Sequence, residues 1–313
     1  MTPTAIRLPQ LGARPFLADA GLETELVFHD AVDLPHFAAF PLLESEAGRA
    51  RLLTYYQGFA ALADAHGTGV VLETPTWRAG AGWGGRLGYR SRTLARLNRE
   101  AAALVGSLRT FLPPGRLVAS GCIGPCGDGY VIARREQALA ARDHHQPQAD
   151  ALAEGGADML SAMTMTHAGE AAGIVLAARR SALPIAVSFT VGTDGRLPDG
   201  TRLAEAIDAV DQATGGYAAY YMVNCAHPSH FGGELLASGM AADRVRGIRA
   251  NASRRSHAEL EAASALDEGD PQALADDYRR LREALPGLSV LGGCCGTDLR
   301  HIAAIARACL PAG

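Results

Sequence analysis

Two adjacent cysteines, Cys294 and Cys295, carry the strongest chemical signal in this chain, within the sequence GGCCGT at residues 292–297. Neighbouring residues of a regular strand point to opposite faces, so two such thiols can share a metal only where the chain turns. The three glycines of the segment allow that turn. The pair is therefore a candidate metal site, although adjacent cysteines also occur as small buried hydrophobic residues.

A third candidate ligand, Cys225, lies in the sequence YYMVNCAH at residues 220–227. Three thiolates would hold a zinc ion with one tetrahedral position open, which is typical of catalytic rather than structural zinc. A free alkyl thiol at neutral pH is mostly protonated, whereas a thiol bound at the open position is deprotonated. The three cysteines therefore predict zinc-dependent activation of a thiol, which can then attack an activated methyl group.

The elements that must position these cysteines are short apolar segments, each followed by a longer amphipathic one. Eight segments have the composition of buried parallel strands. They are Phe16–Ala18, Val70–Leu72, Leu117–Ala119, Met159–Ala162, Ile185–Phe189, Tyr220–Val223, Val245–Ile248 and Leu288–Leu291.

The segments between these strands have helical spacing, as at Leu203, Ile207 and Val210. Eight strand–helix units in about 300 residues predict a single-domain (β/α)8 TIM barrel over residues 1–313. A doubly wound open sheet is the alternative, but no GxGxxG follows the first strand. In a barrel the ends of the sixth and eighth strands share one rim, so the three thiols can converge.

The composition is that of an ordinary globular protein, with 313 residues, 48% hydrophobic, 20% charged and a net charge of −4. No basic stripe predicts nucleic-acid binding, and no apolar run reaches the roughly 20 residues of a membrane helix. The N-terminus lacks the pattern of a signal peptide, so we expect a cytoplasmic protein. Six cysteines then favour metal binding or catalysis over disulfides. No pattern determines the oligomeric state, and a homo-oligomer stays open.

With these motifs, the chain resembles the homocysteine S-methyltransferase family over about residues 16–310. The resemblance rests on GGCCGT at 292–297, NC at 224–225, IGP at 123–125, SFT at 188–190 and DG at 199–200. It implies a (β/α)8 barrel with a zinc ion on Cys225, Cys294 and Cys295. It also implies methyl transfer from a small donor resembling S-methylmethionine, S-adenosylmethionine or betaine to homocysteine, which gives methionine.

The resemblance also implies substrate-binding residues. Asp19, Ala20 and Gly21 represent the family's opening Asp-Gly segment, which lies beside the substrate amino acid. Asn224, just before the third cysteine, is a further candidate contact.

One departure from the family concerns Met163, which stands where the family carries the Glu that contacts the amino group of homocysteine. Methionine cannot pair with an ammonium, and an unpaired charge in a closed pocket costs affinity. Either another carboxylate binds the ammonium, for which Glu23 and Glu73 are candidates, or the acceptor is a different thiol.

Other residues are less specific. Trp77, with Trp83, is a candidate for enclosing a cationic methyl donor by cation–π contact. Loop packing, a redox pair and pocket lining stay open for Cys122 and Cys126. We expect Cys309, on the last helix, to be a core residue, and the pair at 144–145, both His, to be surface or interhelix packing residues.

Two further functions stay open. A zinc hydrolase is disfavoured, because hydrolases on this fold usually bind zinc through His and carboxylate ligands. A non-enzymatic zinc or thiol-redox protein would share the cysteines but not the methyl transfer.

Overall fold

Eight parallel strands close into a barrel in the computed structural model, which describes residues 8–132 and 135–311. The strands are β1 Phe16–Ala18, β2 Val70–Glu73, β3 Leu117–Ile123, β4 Met159–Met165, β5 Ile185–Thr190, β6 Tyr220–Asn224, β7 Val245–Ala250 and β8 Val290–Gly293. They pair in chain order, and β8 pairs with β1 to close the barrel. The predicted (β/α)8 barrel is confirmed, and an open sheet is excluded.

Helices surround the barrel and connect its strands. Within the described residues they are α1 Leu22–Thr24, α2 Glu46–Ala65, α3 Ala81–Arg86, α4 Ser91–Ser107, α5 Ala138–Glu154, α6 Ala168–Arg180, α7 Leu203–Thr214, α8 Pro228–Ala237, α9 Met240–Arg244, α10 His257–Glu261, α11 Pro271–Ala284 and α12 Leu299–Cys309. The helical spacing predicted at Leu203, Ile207 and Val210 corresponds to the buried face of α7. None of the helices in the described ranges has the length and apolarity to cross a membrane.

Two apolar cores hold the fold together. One fills the inside of the barrel with side chains that alternate along the strands, among them Phe16, Val71, Met159 and Tyr220. The other lies between the strands and the helices and contains the opposite faces of the same strands. A parallel strand buried on both faces needs apolar residues at successive positions, which explains why the strands read as continuous apolar runs.

The amino end of the barrel is closed by the segment before β1. A short 3-10 turn, Pro9–Leu11, places the fully buried Gln10 against the barrel interior. Its Nε2 donates to the Met159 sulfur at 3.1 Å and to the Tyr220 hydroxyl at 3.5 Å. The amide thereby finds partners where the barrel is otherwise apolar.

The structure corrects several strand ends. β3 and β4 run on to Ile123 and Met165, and β8 begins two residues later than predicted, at Val290. The added residues include Ser120, Gly121 and Thr164, which an apolar pattern misses. Cys122 therefore lies within β3, with its buried side chain in the barrel core, and is not a loop residue.

Candidate metal centre

Cys225 follows β6 directly and turns the chain at the carboxyl rim of the barrel. Its φ of 55° lies in the left-handed region, which is uncommon for a residue other than glycine. Asn224 supports this geometry, because its Nδ2 donates to the Cys225 sulfur at 3.1 Å and to the Thr164 hydroxyl at 2.9 Å. The Asn224 Oδ1 accepts from the Ser188 hydroxyl at 2.7 Å and from the Thr164 amide at 3.1 Å. Four contacts thus orient one amide beside the thiol.

Cys294 and Cys295 follow β8 in a tight turn. The Cys294 amide donates to the Ala250 carbonyl at 2.8 Å, and the Cys295 carbonyl accepts from the Ala252 amide at 3.1 Å. Gly21 lies against this turn, where a Cβ would approach the Cys294 carbonyl oxygen to 2.5 Å. The absence of a side chain at Gly21 therefore lets the loop after β1 pack onto the metal-site turn.

The three predicted cysteines converge. Their sulfurs all lie within 4.8 Å of one another, with Cys225 to Cys294 at 2.7 Å and Cys294 to Cys295 at 4.0 Å. Sulfurs that share a tetrahedral zinc at about 2.3 Å lie about 3.8 Å apart. The Cys294–Cys295 separation fits this value, and Cys225 and Cys294 lie closer than it.

The protonation of the cluster also fits a metal. Hydrogen bonds from the thiols of Cys225 and Cys295 lower the pKa of Cys294 well below the ordinary thiol range. The same hydrogen bonding to Cys294 raises the pKa of Cys225, and the other two thiols raise that of Cys295. Without a cation the cluster therefore favours one thiolate over three, so a three-thiolate state needs a positive charge among the sulfurs.

Asp19, a predicted substrate contact, is already engaged by a residue that the sequence analysis missed. It follows β1 and forms a buried ion pair with Arg249 of β7. Its Oδ2 also accepts from the Glu73 amide at 3.2 Å. Burial nevertheless outweighs these contacts and raises the pKa of Asp19. The alternation of strand residues at 245–250 could have placed Arg249 inside the barrel, since Gly247 and Arg249 share a face.

Ala20 and Gly21 lie beside this ion pair. The Ala20 amide donates to the Tyr55 hydroxyl at 3.1 Å, and its carbonyl accepts from Arg249 Nη2 at 3.4 Å. Their backbone polar groups are thus largely satisfied by protein partners, since the Gly21 amide donates to the Thr297 carbonyl at 3.2 Å.

The two candidate glutamates differ in their partners. Glu73 ends β2, is buried, and accepts a short hydrogen bond from the Ser161 hydroxyl. Glu23 lies in α1, is only partly buried, and has the Cys294 thiol, Asp19 and Arg249 as electrostatic neighbours. Burial raises the pKa of both carboxyls to about 7.

Met163 lies inside the barrel in the same core cluster as Cys122, with 5% of its surface exposed. Trp77 packs against this cluster from above. Met163 therefore presents an apolar side chain to the barrel interior.

The aromatic residues in the loop after β2 have a partner of their own. The Arg78 guanidinium lies over the Trp77 and Trp83 rings at 3.8 Å from each centroid. Arg78 therefore covers one face of each ring. A methyl donor in cation–π contact with Trp77 or Trp83 would have to bind at ring surface that Arg78 does not cover.

Tyr130 and His257 form a second contact to the cluster that sequence reasoning missed. Their rings stack with centroids 3.9 Å apart, and the Tyr130 hydroxyl lies 3.8 Å from the Cys295 sulfur. On the Cys225 side lies a cavity of about 240 Å³ whose lining includes His230, Arg255 and His257. Cys225 itself lines this cavity, and none of the lining residues is an Asp or a Glu.

The remaining cysteines and histidines have packing partners. All six cysteines, each in a described range, are free thiols. Cys309 is buried in the outer core, as predicted. His145 is buried and bonds the Glu170 carboxylate of α6 at 2.9 Å, which fits the interhelix packing expected for the histidine pair. Cys126 donates its amide to the same carboxylate at 2.7 Å.

Comparisons with known proteins identify the family of this chain. A family model described as homocysteine S-methyltransferase matches residues 16–309. The fold is similar to that of the homocysteine methyltransferase MmuM from Escherichia coli. The oxidised form is 20% identical with a TM-score of 0.73, over 94% of this chain and 95% of that one. The metallated form is 21% identical with a TM-score of 0.72, over 94% and 96% of the two chains. No curated protein sequence matches this chain significantly.

Proposed function

Because this chain belongs to the homocysteine S-methyltransferase family and is a thiol S-methyltransferase, we propose that it transfers a methyl group from a small sulfonium or ammonium donor to homocysteine, with zinc held by Cys225, Cys294 and Cys295. The product would be methionine. The observation that carries the proposal is the convergence of three cysteine sulfurs within 4.8 Å at the carboxyl rim of the barrel.

The donor set fits zinc. Soft thiolate ligands select zinc among the common divalent ions, and three protein ligands leave one position for a substrate. Zinc bound there supplies the Lewis acidity that keeps a substrate thiol deprotonated at neutral pH. The E. coli MmuM structure in its metallated form supports a metal in this fold family. Three sulfur donors also argue against a zinc hydrolase, which stays the lesser alternative.

The surrounding residues orient the reacting groups. Asn224 holds the Cys225 sulfur through its Nδ2. The Tyr130 hydroxyl lies 3.8 Å from the Cys295 sulfur, and the Tyr130 ring is held by its stacking on His257. Methyl transfer then depends on holding the thiol and the methyl carbon in line, which is a positioning effect.

The cavity beside Cys225 favours a small donor. Its volume of about 240 Å³ lies below the range of about 300–1,000 Å³ usual for drug-sized ligands. A donor of the size of S-methylmethionine or betaine fits this volume better than S-adenosylmethionine does.

A second candidate function keeps the fold and the metal but uses a different thiol. Met163 favours it, because this position of β4 carries a thioether and no carboxylate that could pair with a substrate amine.

A matrix of methyl donors and thiols, assayed on zinc-loaded protein, tests the proposal. We expect methylation of homocysteine by at least one sulfonium or ammonium donor, and loss of that activity when zinc is removed by a chelator. Methylation of another thiol but not of homocysteine would support the second candidate. Freshly purified protein without bound zinc would contradict both.

A further inference from the structure

Glu23 is a carboxylate at the cysteine cluster for which the protein provides no side-chain partner. Within the described residues no side chain forms a hydrogen bond or an ion pair with it, and its own backbone amide is the only hydrogen-bond donor to it. Its electrostatic neighbours include the Cys294 thiol and Asp19, which are acidic groups. A partly desolvated carboxylate among acidic groups is unfavourable unless a cation reaches it.

Of the two cations that interact with Glu23, Arg249 already has partners of its own. Arg249 forms its buried ion pair with Asp19 and donates to the Ala20 carbonyl. Among the charges that act on Glu23, its contribution is smaller than that of Cys294 or Asp19.

Arg78 is a second cation whose charge acts on Glu23, but it lies over the Trp77 and Trp83 rings, donates to the Gly127 carbonyl and forms no ion pair with Glu23. The charge of Glu23 is therefore left for a ligand.

Glu73, the other candidate, is not free to bind a ligand in this way. Its carboxylate accepts from Ser161, it is 7% exposed, and Arg249 is its largest electrostatic partner. A ligand amine could reach it only by displacing partners inside the barrel. Glu23 is partly exposed and sits on the loop that Gly21 packs against the Cys294 turn.

We propose that Glu23 is the specificity residue of this enzyme and binds the ammonium group of an amino-thiol acceptor whose sulfur lies at the three cysteines. In homocysteine a short carbon chain separates sulfur from nitrogen, so the ammonium must lie close to the thiol site, as Glu23 does. This inference rests on the proposed function and deepens it. It makes an amino-thiol the acceptor even though Met163 offers no carboxylate.

The test compares L-homocysteine with 4-sulfanylbutanoic acid, which is the same molecule without its amino group. Binding of each thiol to zinc-loaded protein is measured by calorimetry, and KM and kcat are measured with a donor that the native enzyme uses. Glu23→Gln should weaken L-homocysteine binding by about 10- to 100-fold, the loss expected for one charge-assisted contact. Its affinity for 4-sulfanylbutanoic acid should change by less than about twofold, and kcat should change less than KM.

Two further variants separate charge from shape. Glu23→Asp keeps the charge and should retain most of the preference for the amino-thiol. Glu25→Gln is the matched control, because Glu25 lies two residues away but faces Asp298, His29 and Arg51. It should leave both affinities unchanged.

Equal weakening of both thiols by Glu23→Gln, no weakening of either, or equal losses in Glu23→Asp and Glu23→Gln would overturn the inference. These outcomes differ from failure of the proposed function, in which the native protein methylates no thiol with any donor.

Discussion

Asn224 donates a hydrogen bond to the sulfur of Cys225, the residue that follows it, across 3.1 Å. Adjacent residues in a strand normally point apart, and the left-handed backbone at Cys225 brings these two side chains together. The same amide bonds Thr164 and Ser188 on the two preceding strands. The orientation of one candidate metal ligand thus depends on three strands of the barrel.

Replacing Asn224 with Ala should weaken zinc binding by about 10- to 100-fold, because residues that orient a ligand typically contribute that much to metal affinity. Competition with a chromophoric chelator measures the effect. Asn98→Ala is the control, since Asn98 is equally buried but bonds the Ala79 and Leu94 carbonyls far from the cysteines. It should lower stability without changing zinc affinity. Unchanged affinity in Asn224→Ala would show that Cys225 needs no support.

Cys294→Ser should abolish stoichiometric zinc, because a serine hydroxyl is a poor zinc ligand and two thiolates remain. Elemental analysis of purified protein gives the zinc content directly. Cys309→Ser is the matched control, since Cys309 is buried in the outer core and has no part in the cluster. Full zinc content in Cys294→Ser would remove this cysteine from the proposed ligand set.

Arg249→Met should destabilise the protein by about 3–5 kcal/mol, because it leaves the Asp19 carboxylate buried and unpaired. The free energy of unfolding in urea measures this loss. The double variant Asp19→Asn with Arg249→Met removes both charges and should recover part of it. The half-exposed pair of Arg244 and Asp211 is a comparison, and Arg244→Met should cost clearly less. Equal losses of unfolding free energy in Arg249→Met and Arg244→Met would mean that burial does not determine how much an ion pair contributes to stability.

Glu73 should make stability depend on pH. Its pKa is about 7 in the folded chain against an ordinary value of 4.5, with Asp19 and Arg249 as charged neighbours. Between these values the folded protein holds a proton that the unfolded chain has lost. Stability from this group is therefore full below about pH 4.5 and falls as pH rises to about 7, by up to about 3 kcal/mol.

Unfolding of the native protein and of Glu73→Gln at several pH values checks this expectation. The variant should gain stability relative to the native protein as pH rises from 5 towards about 7. Glu154→Gln, at an exposed position, should follow the native protein. The prediction would be contradicted if the difference in unfolding free energy between the native protein and Glu73→Gln were the same at every pH.

The barrel and its cysteine cluster could be predicted because both depend on local sequence. Apolar runs fix where strands lie, and glycines around Cys294 and Cys295 mark the turn that brings both thiols to one site. The fold then places the end of β6 on the same rim as the end of β8.

The polar side chains inside the barrel were harder to predict from the sequence. Glu73, Ser161 and Arg249 point inward at the carboxyl end of strands that are otherwise apolar, so their partners depend on pairings between distant strands. Ser120, Gly121 and Thr164 likewise hid the true ends of β3 and β4. The contact of Tyr130 with Cys295 joins a loop after β3 to the turn after β8, and no local pattern encodes that distance.

The closure of the amino end of the barrel by Gln10 determines from which side ligands reach the cysteines. Within the described residues Gln10 closes the amino end of the barrel, so the cysteine cluster is reached from the opposite, carboxyl rim. The proposed thiol and its methyl donor would therefore both approach the cysteines from the carboxyl rim.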